Sequence, residues 1–377
     1  MAKTASNLEN DSLGLYVHVP FCLSKCDYCG FYSIPPTPGG VSDYLNRLAE
    51  EVSLSLTPAR VRRINTVFIG GGNPTSIGYH DFRKLLQTLT DKLVLSRIEE
   101  WTIETNPETW ASVGGLAAGE LPGLRVSMGF QRFEDDELTF LGRRGSLSHG
   151  MEAVEDALKL TENVGIDLIL GVPEFPSLAQ KLGLFVGKVP VKHVSAYFLS
   201  CEKGTPYEHA VDAGERANPA EAGPEELFEV RDVLQREDFE HYEISNFSKP
   251  GFRCRHNMNY WNLGEYLGVG PSAVGTLGGS RTSNPASLDE WVAGRRRETE
   301  ALSALDCRRE FIMLRLRLLS DGLDLDEFSA RFGPPSPSLT ETLKRELESG
   351  FLIESESCFR LSAKGISFAN QVISRLF

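Results

Sequence analysis

The sequence of 377 residues contains no uninterrupted apolar run of about 18 residues, the length that a helix needs to cross a bilayer. Its first residues, MAKTASNLENDSLG, are polar and hold no apolar signal-peptide core. Positive charge is also scarce, because 39 Lys and Arg residues against 52 Asp and Glu residues give a net charge of −13. Such a surface should repel nucleic acids and anionic lipids. These absences predict a cytoplasmic protein without an integral membrane segment and without nucleic-acid binding.

The sequence has only seven cysteines, an odd number. Three of them, Cys22, Cys26 and Cys29, lie within eight positions. This is a poor disulfide framework but a plausible metal site. The Cys-x3-Cys-x2-Cys spacing supplies three thiolates, as an iron–sulfur cluster with one open iron would need. The spacing leaves two alternatives open: a Cys3His zinc site completed by His18 or His256, and three unliganded thiols.

Short apolar runs alternate with helix-period segments through the first 200 residues. This alternation predicts an α/β fold with a parallel sheet and helical crossovers. Helices are predicted at 43–56 and 81–95. Six strands are predicted, at 15–19, 66–69, 101–104, 125–129, 166–170 and 193–199.

Residues that can carry chemistry follow four of these predicted strands. The cysteine loop follows the first strand, the run GGGNP (70–74) follows the second, ETNP (104–107) closes the third and Gln131 closes the fourth. Ligand sites of parallel α/β folds form from loops at the carboxyl ends of the strands. The sequence therefore predicts one composite site at that end of the sheet.

The pattern changes after residue 210. Residues 211–224 are rich in Ala, Gly, Pro and Glu, which suits a surface connection. A helix at 224–237 and a strand at 239–244 follow, and 246–275 is an aromatic- and glycine-rich segment with little periodicity. From residue 306 onward, three helices, a hairpin and a last helix are predicted, an order that resembles a winged-helix module.

Tyr28 stands directly before Cys29, so the loop reads Cys-x3-Cys-x-Tyr-Cys. This pattern resembles the signature of the radical S-adenosylmethionine (SAM) superfamily. The resemblance implies a [4Fe–4S] cluster whose open iron is chelated by SAM, and a reductant whose electron cleaves SAM to a 5′-deoxyadenosyl radical. A barrel around such a radical would exclude water while the cofactor does the chemistry.

Longer segments resemble the oxygen-independent coproporphyrinogen III oxidases (HemN-like) and their relatives, the HemW haem chaperones. They are YVHVPFC (16–22), GGGNP (70–74), ETNP (104–107), SMGFQ (127–131), LGR (141–143), DL (167–168), SAY (195–197) and HYEISNF (241–247). The resemblance implies a partial (β/α)6 barrel holding the cluster and SAM in residues 1–210. A linker and haem-motif extension that packs on the barrel is expected in 211–305, and a winged-helix-like α+β domain in 306–377.

Two features distinguish these relatives. The oxidases carry a fourth cysteine two residues after the third, whereas here Cys29 is followed by Gly30 and Phe31. The run RHNMNYW (255–261) resembles the HNxxYW haem-binding signature of the HemW proteins, which implies His256 as the ligand of the haem iron and Tyr260 and Trp261 as contacts of the macrocycle. By itself, a histidine beside aromatics is usually a packing residue, and Cys254 is a weaker candidate for an axial ligand.

The resemblance also implies a SAM site. Gly71 and Gly72 would let the backbone approach the methionyl end of SAM, and Glu104 and Arg143 would face its ammonium and carboxylate groups. Gln131 and Asp167 would bind the ribose hydroxyls. The full predicted set is Tyr16, Tyr28, Gly71, Gly72, Asn73, Glu104, Gln131, Arg143 and Asp167.

The sequence departs from the family pattern at three places. Asn73 replaces a usual Thr, Gly145 follows Arg143-Arg144 where a His is usual, and the segment Glu174-Phe175-Pro176 replaces a Gly-Gln-Thr type segment. Asn73 can still offer a hydrogen bond, and the other two departures bear on substrate access rather than on the cluster or SAM.

The first functional hypothesis is therefore a HemW-type haem chaperone that binds a [4Fe–4S] cluster, SAM and haem and passes haem to an apo-haemoprotein of respiratory membranes. Such a protein is compatible with a homodimer. The alternative is an oxygen-independent coproporphyrinogen III oxidase, which would convert two propionates to vinyl groups. A third hypothesis, from another class, is a zinc-stabilised interaction protein without radical chemistry.

Overall fold

The computed structural model describes residues 12–111, 119–175, 177–221 and 223–377. Its centre is a run of parallel strands that pair in chain order, each joined to the next by helical segments. The six predicted strands are confirmed, with slightly wider bounds, as β1 (Leu13–Val19), β2 (Ile64–Gly71), β3 (Glu100–Thr105), β4 (Leu124–Gln131), β5 (Val164–Leu170) and β6 (His193–Phe198).

Helices cover the outer face of this sheet. The first begins after the cap residue Thr37, whose side chain accepts a hydrogen bond from the Gly40 amide, and it buries Tyr44, Leu48 and Val52 on the predicted apolar side. The helices through residue 236 are α1 (Pro38–Ser55), α2 (Pro58–Val61), α3 (Tyr79–Thr90), α4 (Pro107–Trp110), α5 (Asp135–Phe140), α6 (Leu147–Leu158), α7 (Ala179–Val186), α8 (Pro206–Asp212) and α9 (Glu225–Arg236).

Residues 240–301 extend the same sheet at both edges. The strand predicted at 239–244 is confirmed at Glu240–Glu243, whereas the sequence did not reveal the other added strands. These strands have three to five residues each, too short for a clear two-residue alternation. In the part of the chain that the structure describes, the strand order is β12-β11-β10-β9-β1-β2-β3-β4-β5-β6-β8-β7. The added elements are β7 (Glu240–Glu243), β8 (Asn246–Ser248), α10 (Arg255–Trp261), β9 (Glu265–Val269), β10 (Val274–Leu277), β11 (Ser280–Ser283), α11 (Leu288–Val292) and β12 (Glu298–Ala301).

Helix α10, which carries the predicted haem motif, lies at the amino end of the barrel. It connects β8, next to β6, with β9, which pairs in parallel with β1. On the way it packs against β2 and β3, and Glu100, the first residue of β3, bonds to its amino end. The cysteine loop follows the carboxyl end of β1, so the two predicted sites lie at opposite ends of the barrel.

The C-terminal residues form a separate apolar cluster around Phe311, Phe328, Leu343 and Val372. A small antiparallel sheet with the order β13-β15-β14 confirms the winged-helix-like prediction, and two short helices stand in place of the single last one. The three-part division of the chain stays a prediction. The elements are α12 (Ala304–Arg317), β13 (Leu323–Asp324), α13 (Leu325–Phe332), α14 (Pro337–Glu348), β14 (Leu352–Ser355), β15 (Cys358–Leu361), α15 (Ala363–Ser367) and α16 (Ala369–Ser374). None of the helices in the described ranges is long and apolar enough to span a membrane.

Candidate functional site

A cavity of about 710 Å³ fills the interior of the barrel and brings most of the predicted site residues together. Its volume is within the usual range for ligand pockets. The predicted residues that line it are Cys22, Cys26, Tyr28, Cys29, Gly71, Gly72, Glu104, Gln131, Arg143 and Asp167. Tyr16 and Asn73 lie close by but outside this lining, and His256, Tyr260 and Trp261 lie beyond the opposite end.

The three cysteines of the loop are free thiols at the mouth of this cavity. A hydrogen bond from the Cys29 amide to the Cys26 carbonyl (3.1 Å) closes the turn between them. Burial, with a smaller contribution from the neighbouring thiols Cys29 and Cys26, raises the pKa of Cys22 to about 11. Because the thiols act on one another electrostatically, ionising all three would be unfavourable, and a positively charged metal group would favour their ionised forms.

Glycines 71 and 72 are required by the close packing of the loop that follows β2. Gly71 has a φ of 109°, and a Cβ there would approach the His18 ring to 2.6 Å. A Cβ at Gly72 would lie 2.7 Å from the Phe21 carbonyl oxygen. The Gly71 amide donates to Glu104 Oε2 (3.0 Å), so the glycine loop also holds the carboxylate of β3 in place.

Glu104 and Asp167 are two buried carboxyl groups on the inner face of the barrel. Burial and the nearby Asp167 raise the pKa of Glu104 to about 7. Burial also raises the pKa of Asp167, although hydrogen bonds from Ser195 and Ser127 oppose the shift. Because a cationic ligand would favour the ionised forms, both groups suit the ammonium, sulfonium and hydroxyl groups of SAM.

Gln131 is held in the left-handed backbone region with a φ of 69°, next to a register shift between β4 and β5. Its Oε1 is buried and accepts no hydrogen bond from the described residues. A strained backbone together with an unpartnered polar atom that faces a cavity is typical of a ligand-binding residue.

Arg143 bridges the cluster loop and β4. Its Nη2 donates to the Gly129 carbonyl (2.8 Å), its Nη1 lies 3.5 Å from Cys26 Sγ, and Glu108 is 3.5 Å away. The guanidinium therefore has partners already, yet it still lines the cavity beside the three thiols. Its place agrees with the expected contact to an anionic group near the cluster.

Tyr16 and Asn73 form hydrogen bonds with neighbouring side chains and do not line the cavity. The Tyr16 hydroxyl is 3.0 Å from His18 Nδ1. The Asn73 amide donates to Thr109 Oγ1 (2.8 Å) and its Oδ1 accepts from Thr75 (2.8 Å). Both polar groups of Asn73 are thus already paired.

The other two departures from the family pattern are also structural contacts. The Gly145 amide donates to Glu108 Oε1 (3.0 Å), and a Cβ at this position would collide with that carboxylate. Glu174 Oε1 accepts from the Ala217 amide (3.2 Å). Pro176, the last residue of the Glu174-Phe175-Pro176 segment, lies outside the described residues.

His256 is completely buried and both its ring nitrogens are engaged. Nδ1 lies 2.9 Å from Thr66 Oγ1, and Nε2 lies 2.7 Å from the Tyr260 hydroxyl. The Phe68 ring, 5.2 Å from the imidazole between centroids, separates it from the cavity. Trp261 packs under the Arg317 guanidinium (4.8 Å) of the C-terminal module. The cap residue Cys254 and the helix residue Asn257 do reach the floor of the cavity.

Several lining residues at the cavity floor were missed by sequence reasoning: Phe68, Arg125, His193 and Ser195. A signal for Arg125 exists, because residues 125, 127, 129 and 131 alternate with apolar residues along β4 and so share the inner face. A charged residue at an inward position of a buried strand is the feature that would have pointed to it.

His18 gives the site a pH-dependent stability. Burial lowers the pKa of His18 to about 4, whereas an unfolded chain would protonate it near 6.5. The unfolded state therefore binds more protons between these values, so this contribution to stability is lost as the pH falls below about 6.5. We expect the unfolding free energy of both proteins to fall when the pH is lowered from 6.5 to 5. The fall should be about 1.5 kcal/mol smaller in His18→Gln than in the wild type, as measured by urea titration at each pH.

The control for this prediction is the exposed His80, whose replacement by Gln should leave the pH dependence unchanged. An identical pH dependence in His18→Gln and the wild type would contradict the prediction.

Comparison with known proteins places this geometry in a family. Residues 16–177 match the family model of the radical SAM superfamily, and residues 302–368 match that of the HemN C-terminal domain. The chain is 34% identical over 379 residues to the protein named heme chaperone HemW of Mycobacterium tuberculosis (strain ATCC 25618 / H37Rv), covering 96% of this chain and 94% of the relative. The chain belongs to the HemW family.

Other HemW proteins and one solved structure agree with this membership. The protein named heme chaperone HemW of Escherichia coli (strain K12) is 30% identical over 382 residues, covering 96% of this chain and 97% of the relative. The structure of coproporphyrinogen III oxidase (HemN) from Escherichia coli, a radical SAM enzyme, superposes with a TM-score of 0.78 over 97% of this chain and 90% of that one. At 19% identity this likeness shows the HemW-family chain to have the same fold.

Membership of the radical SAM superfamily implies a [4Fe–4S] cluster and SAM, and the residues of this HemW-family chain fit both groups. The three thiols are free, share one cavity mouth and have a guanidinium beside them. The same cavity holds two buried carboxyl groups and an unpartnered glutamine oxygen, which match a ligand with cationic and hydroxyl groups.

Proposed function

We propose that this chain is a haem chaperone that binds a [4Fe–4S] cluster and SAM in the barrel, binds haem at helix α10 and passes the haem to an apo-haemoprotein. The observation that carries the proposal is the position of α10. Its cap residue Cys254 and its helical residue Asn257 form part of the floor of the cavity, and the three cysteines lie at the mouth of the same cavity. The names of the HemW relatives support haem as the cargo.

In this proposal each part of the barrel has a defined task. Cys22, Cys26 and Cys29 hold three irons of the cluster, which supplies one-electron chemistry when bound. Arg143 and Glu104 orient the charged methionyl end of SAM, and Gln131 and Asp167 hold its ribose. Tyr28 packs beside the adenine, and Tyr16 and Asn73 support the surrounding loops. Because Gly71 and Gly72 have no side chains, the backbone at these positions can approach the methionyl end of SAM.

Haem binding requires a local change at His256. Its Nδ1 keeps the contact with Thr66, which fixes the ring, while Nε2 becomes the iron ligand once the Tyr260 hydroxyl has moved off it. Tyr260 and Trp261 then offer aromatic area to the macrocycle. The same proposal includes a respiratory haemoprotein as the acceptor, a reductant for the cluster and a cytoplasmic location. It also includes the division of the chain at residues 210 and 305.

The experiment is a haem titration of anaerobically reconstituted protein, followed by gel filtration and absorption spectroscopy. Wild-type protein should retain about one haem per chain, and His256→Ala should bind haem at least about tenfold more weakly with the cluster absorbance unchanged, because one iron ligand is lost. His80→Ala, an exposed histidine, is the matched control and should behave as the wild type.

Two outcomes would contradict the proposal. Equal haem retention in His256→Ala would place the iron ligand elsewhere. Wild-type protein that carries the cluster but never retains haem would favour the oxidase, which should instead consume SAM and release protoporphyrinogen.

A further inference from the structure

The floor of the barrel cavity holds a buried cation that forms no ion pair with any residue that the structure describes. Arg125 is 2% exposed, lies on the inner face of β4 and lines the cavity. Its one hydrogen bond to a described residue is a long contact from Nη1 to Asn163 Oδ1 (3.4 Å), and its buried Nε has no partner. Across the described ranges, no carboxylate oxygen lies within 4 Å of this guanidinium. A buried charge in this state is costly unless a ligand compensates it.

A second unpartnered group faces the same floor. His193 is 1% exposed and lines the cavity. Its Nε2 lies 2.9 Å from the Tyr242 hydroxyl, whereas its Nδ1 is buried and has no hydrogen-bond partner among the described residues. When the tyrosine donates to Nε2, the neutral ring carries its proton on Nδ1 and can donate it to an acceptor.

The charged and polar neighbours of Arg125 leave room for an anion. Cys254, Glu100, Tyr242 and Asp167 act on it electrostatically, but none is an ion-pair partner within 4 Å. Burial raises the pKa of the Cys254 thiol to about 12 and also raises that of Tyr242, so both stay neutral. The Glu100 carboxylate is already engaged by the backbone amides of Arg255 and His256.

We propose that Arg125 and His193 form a carboxylate-binding subsite at the floor of the barrel, and that it takes a propionate group of a tetrapyrrole. The guanidinium supplies paired N–H donors and the imidazole supplies one more, a combination that suits a carboxylate. This inference rests on the proposed haem-binding function. Cys254 and Asn257, which flank His256 in sequence, line the same floor and place the subsite next to the haem helix.

SAM is the other source of a carboxylate in this cavity, and the geometry favours the tetrapyrrole. The methionyl group is expected near Arg143, which bonds to the Gly129 carbonyl. Gly129 lies four residues from Arg125 along β4, a separation of about 13 Å. A carboxylate held beside the cysteine loop therefore leaves the floor free for another group.

The test compares iron-free mesoporphyrin IX with its dimethyl ester, by fluorescence titration of the reconstituted full-length protein. Without iron, binding does not depend on a bond to His256. The wild type should bind the free acid about tenfold or more tightly than the ester, because only the acid carries the negative charge. Arg125→Met should remove this preference, and Arg125→Lys should keep part of it. Arg295→Met, which changes an exposed arginine paired with Glu290, is the control for net charge.

The outcomes of this test distinguish the propionate subsite from a site for the SAM carboxylate and from the haem-binding proposal itself. Equal wild-type affinities for acid and ester would overturn the subsite even if Arg125→Met failed to fold. A preference that survives in folded Arg125→Met would also overturn it, while His256-dependent haem retention would leave the proposed function standing. Loss of SAM affinity in Arg125→Met, with the porphyrin preference intact, would assign the subsite to the methionyl carboxylate and overturn the propionate assignment. No porphyrin or haem binding by wild type would reject both proposals.

Discussion

Replacing Cys26 by serine is expected to abolish the iron–sulfur cluster, lowering the iron content after anaerobic reconstitution from about four atoms per chain to nearly none. Cys26 is the middle thiol of the loop, lines the cavity mouth and lies beside Arg143. A cluster held by three protein thiolates would have no spare thiolate to replace a lost one. Iron and acid-labile sulfide analysis, together with the visible absorbance of the cluster, measures the effect.

Cys201→Ser is the matched control for this prediction. Cys201 is exposed and lies outside the cavity lining, close to Ser200 and Glu202, which belong to it. Its replacement makes the same chemical change near the same cavity and should leave iron and sulfide unchanged. Full cluster content in Cys26→Ser would contradict the assignment, and zinc in place of iron and sulfide in the wild type would support the zinc-stabilised alternative.

Glu100→Ala is expected to destabilise the haem helix and to lower the unfolding free energy by about 3 kcal/mol. The Glu100 carboxylate is buried and accepts from the backbone amides of Arg255 and His256 (3.0 Å each), and Cys254 Sγ lies 3.5 Å from it. The alanine would leave these buried donors without a partner at the amino end of α10. Urea unfolding measures the global effect, and faster amide hydrogen exchange at His256 would locate it in α10.

The neighbouring residue provides the control, because Glu99 is exposed and pairs with Arg255 on the surface. Glu99→Ala should change the unfolding free energy by less than about 0.5 kcal/mol, as is usual for an exposed ion pair. Similar losses in both variants, or unchanged exchange at His256 in Glu100→Ala, would show that the buried carboxylate does not hold the helix.

Local sequence patterns were sufficient to predict the barrel. The six central strands are short, mostly apolar runs, and helical segments join each strand to the next. The cysteines and Gly72 follow the first two strands, and Gly71 and Glu104 lie at strand ends. Because the carboxyl ends of parallel strands meet at one edge of the sheet, their convergence on one cavity followed from chain order alone. The C-terminal helices and hairpin were equally readable, since their amphipathic periods are complete within each element.

Apart from the strand predicted at 239–244, which is β7, the segment 240–301 could not be read in this way. Its strands are too short for a period, and their neighbours β1 and β6 are distant in sequence, so only long-range pairing decides that they join the sheet. The same pairing carries α10 across the amino end of the barrel, away from the cluster loop. The motif at 255–261 was visible in the sequence, but its position was not.

The sequence by itself therefore determined the fold class, the three-cysteine loop and the family, because these depend on local spacing and residue type. Only the tertiary structure decided that His256 is buried with both nitrogens bonded, and that Asn73 pairs with Thr109 and Thr75. It alone showed that Arg125 lies at the cavity floor without an ion-pair partner in the described part of the chain. Burial and hydrogen-bond partners come from residues far apart in the chain, and these partners determine which polar atoms remain available to a ligand.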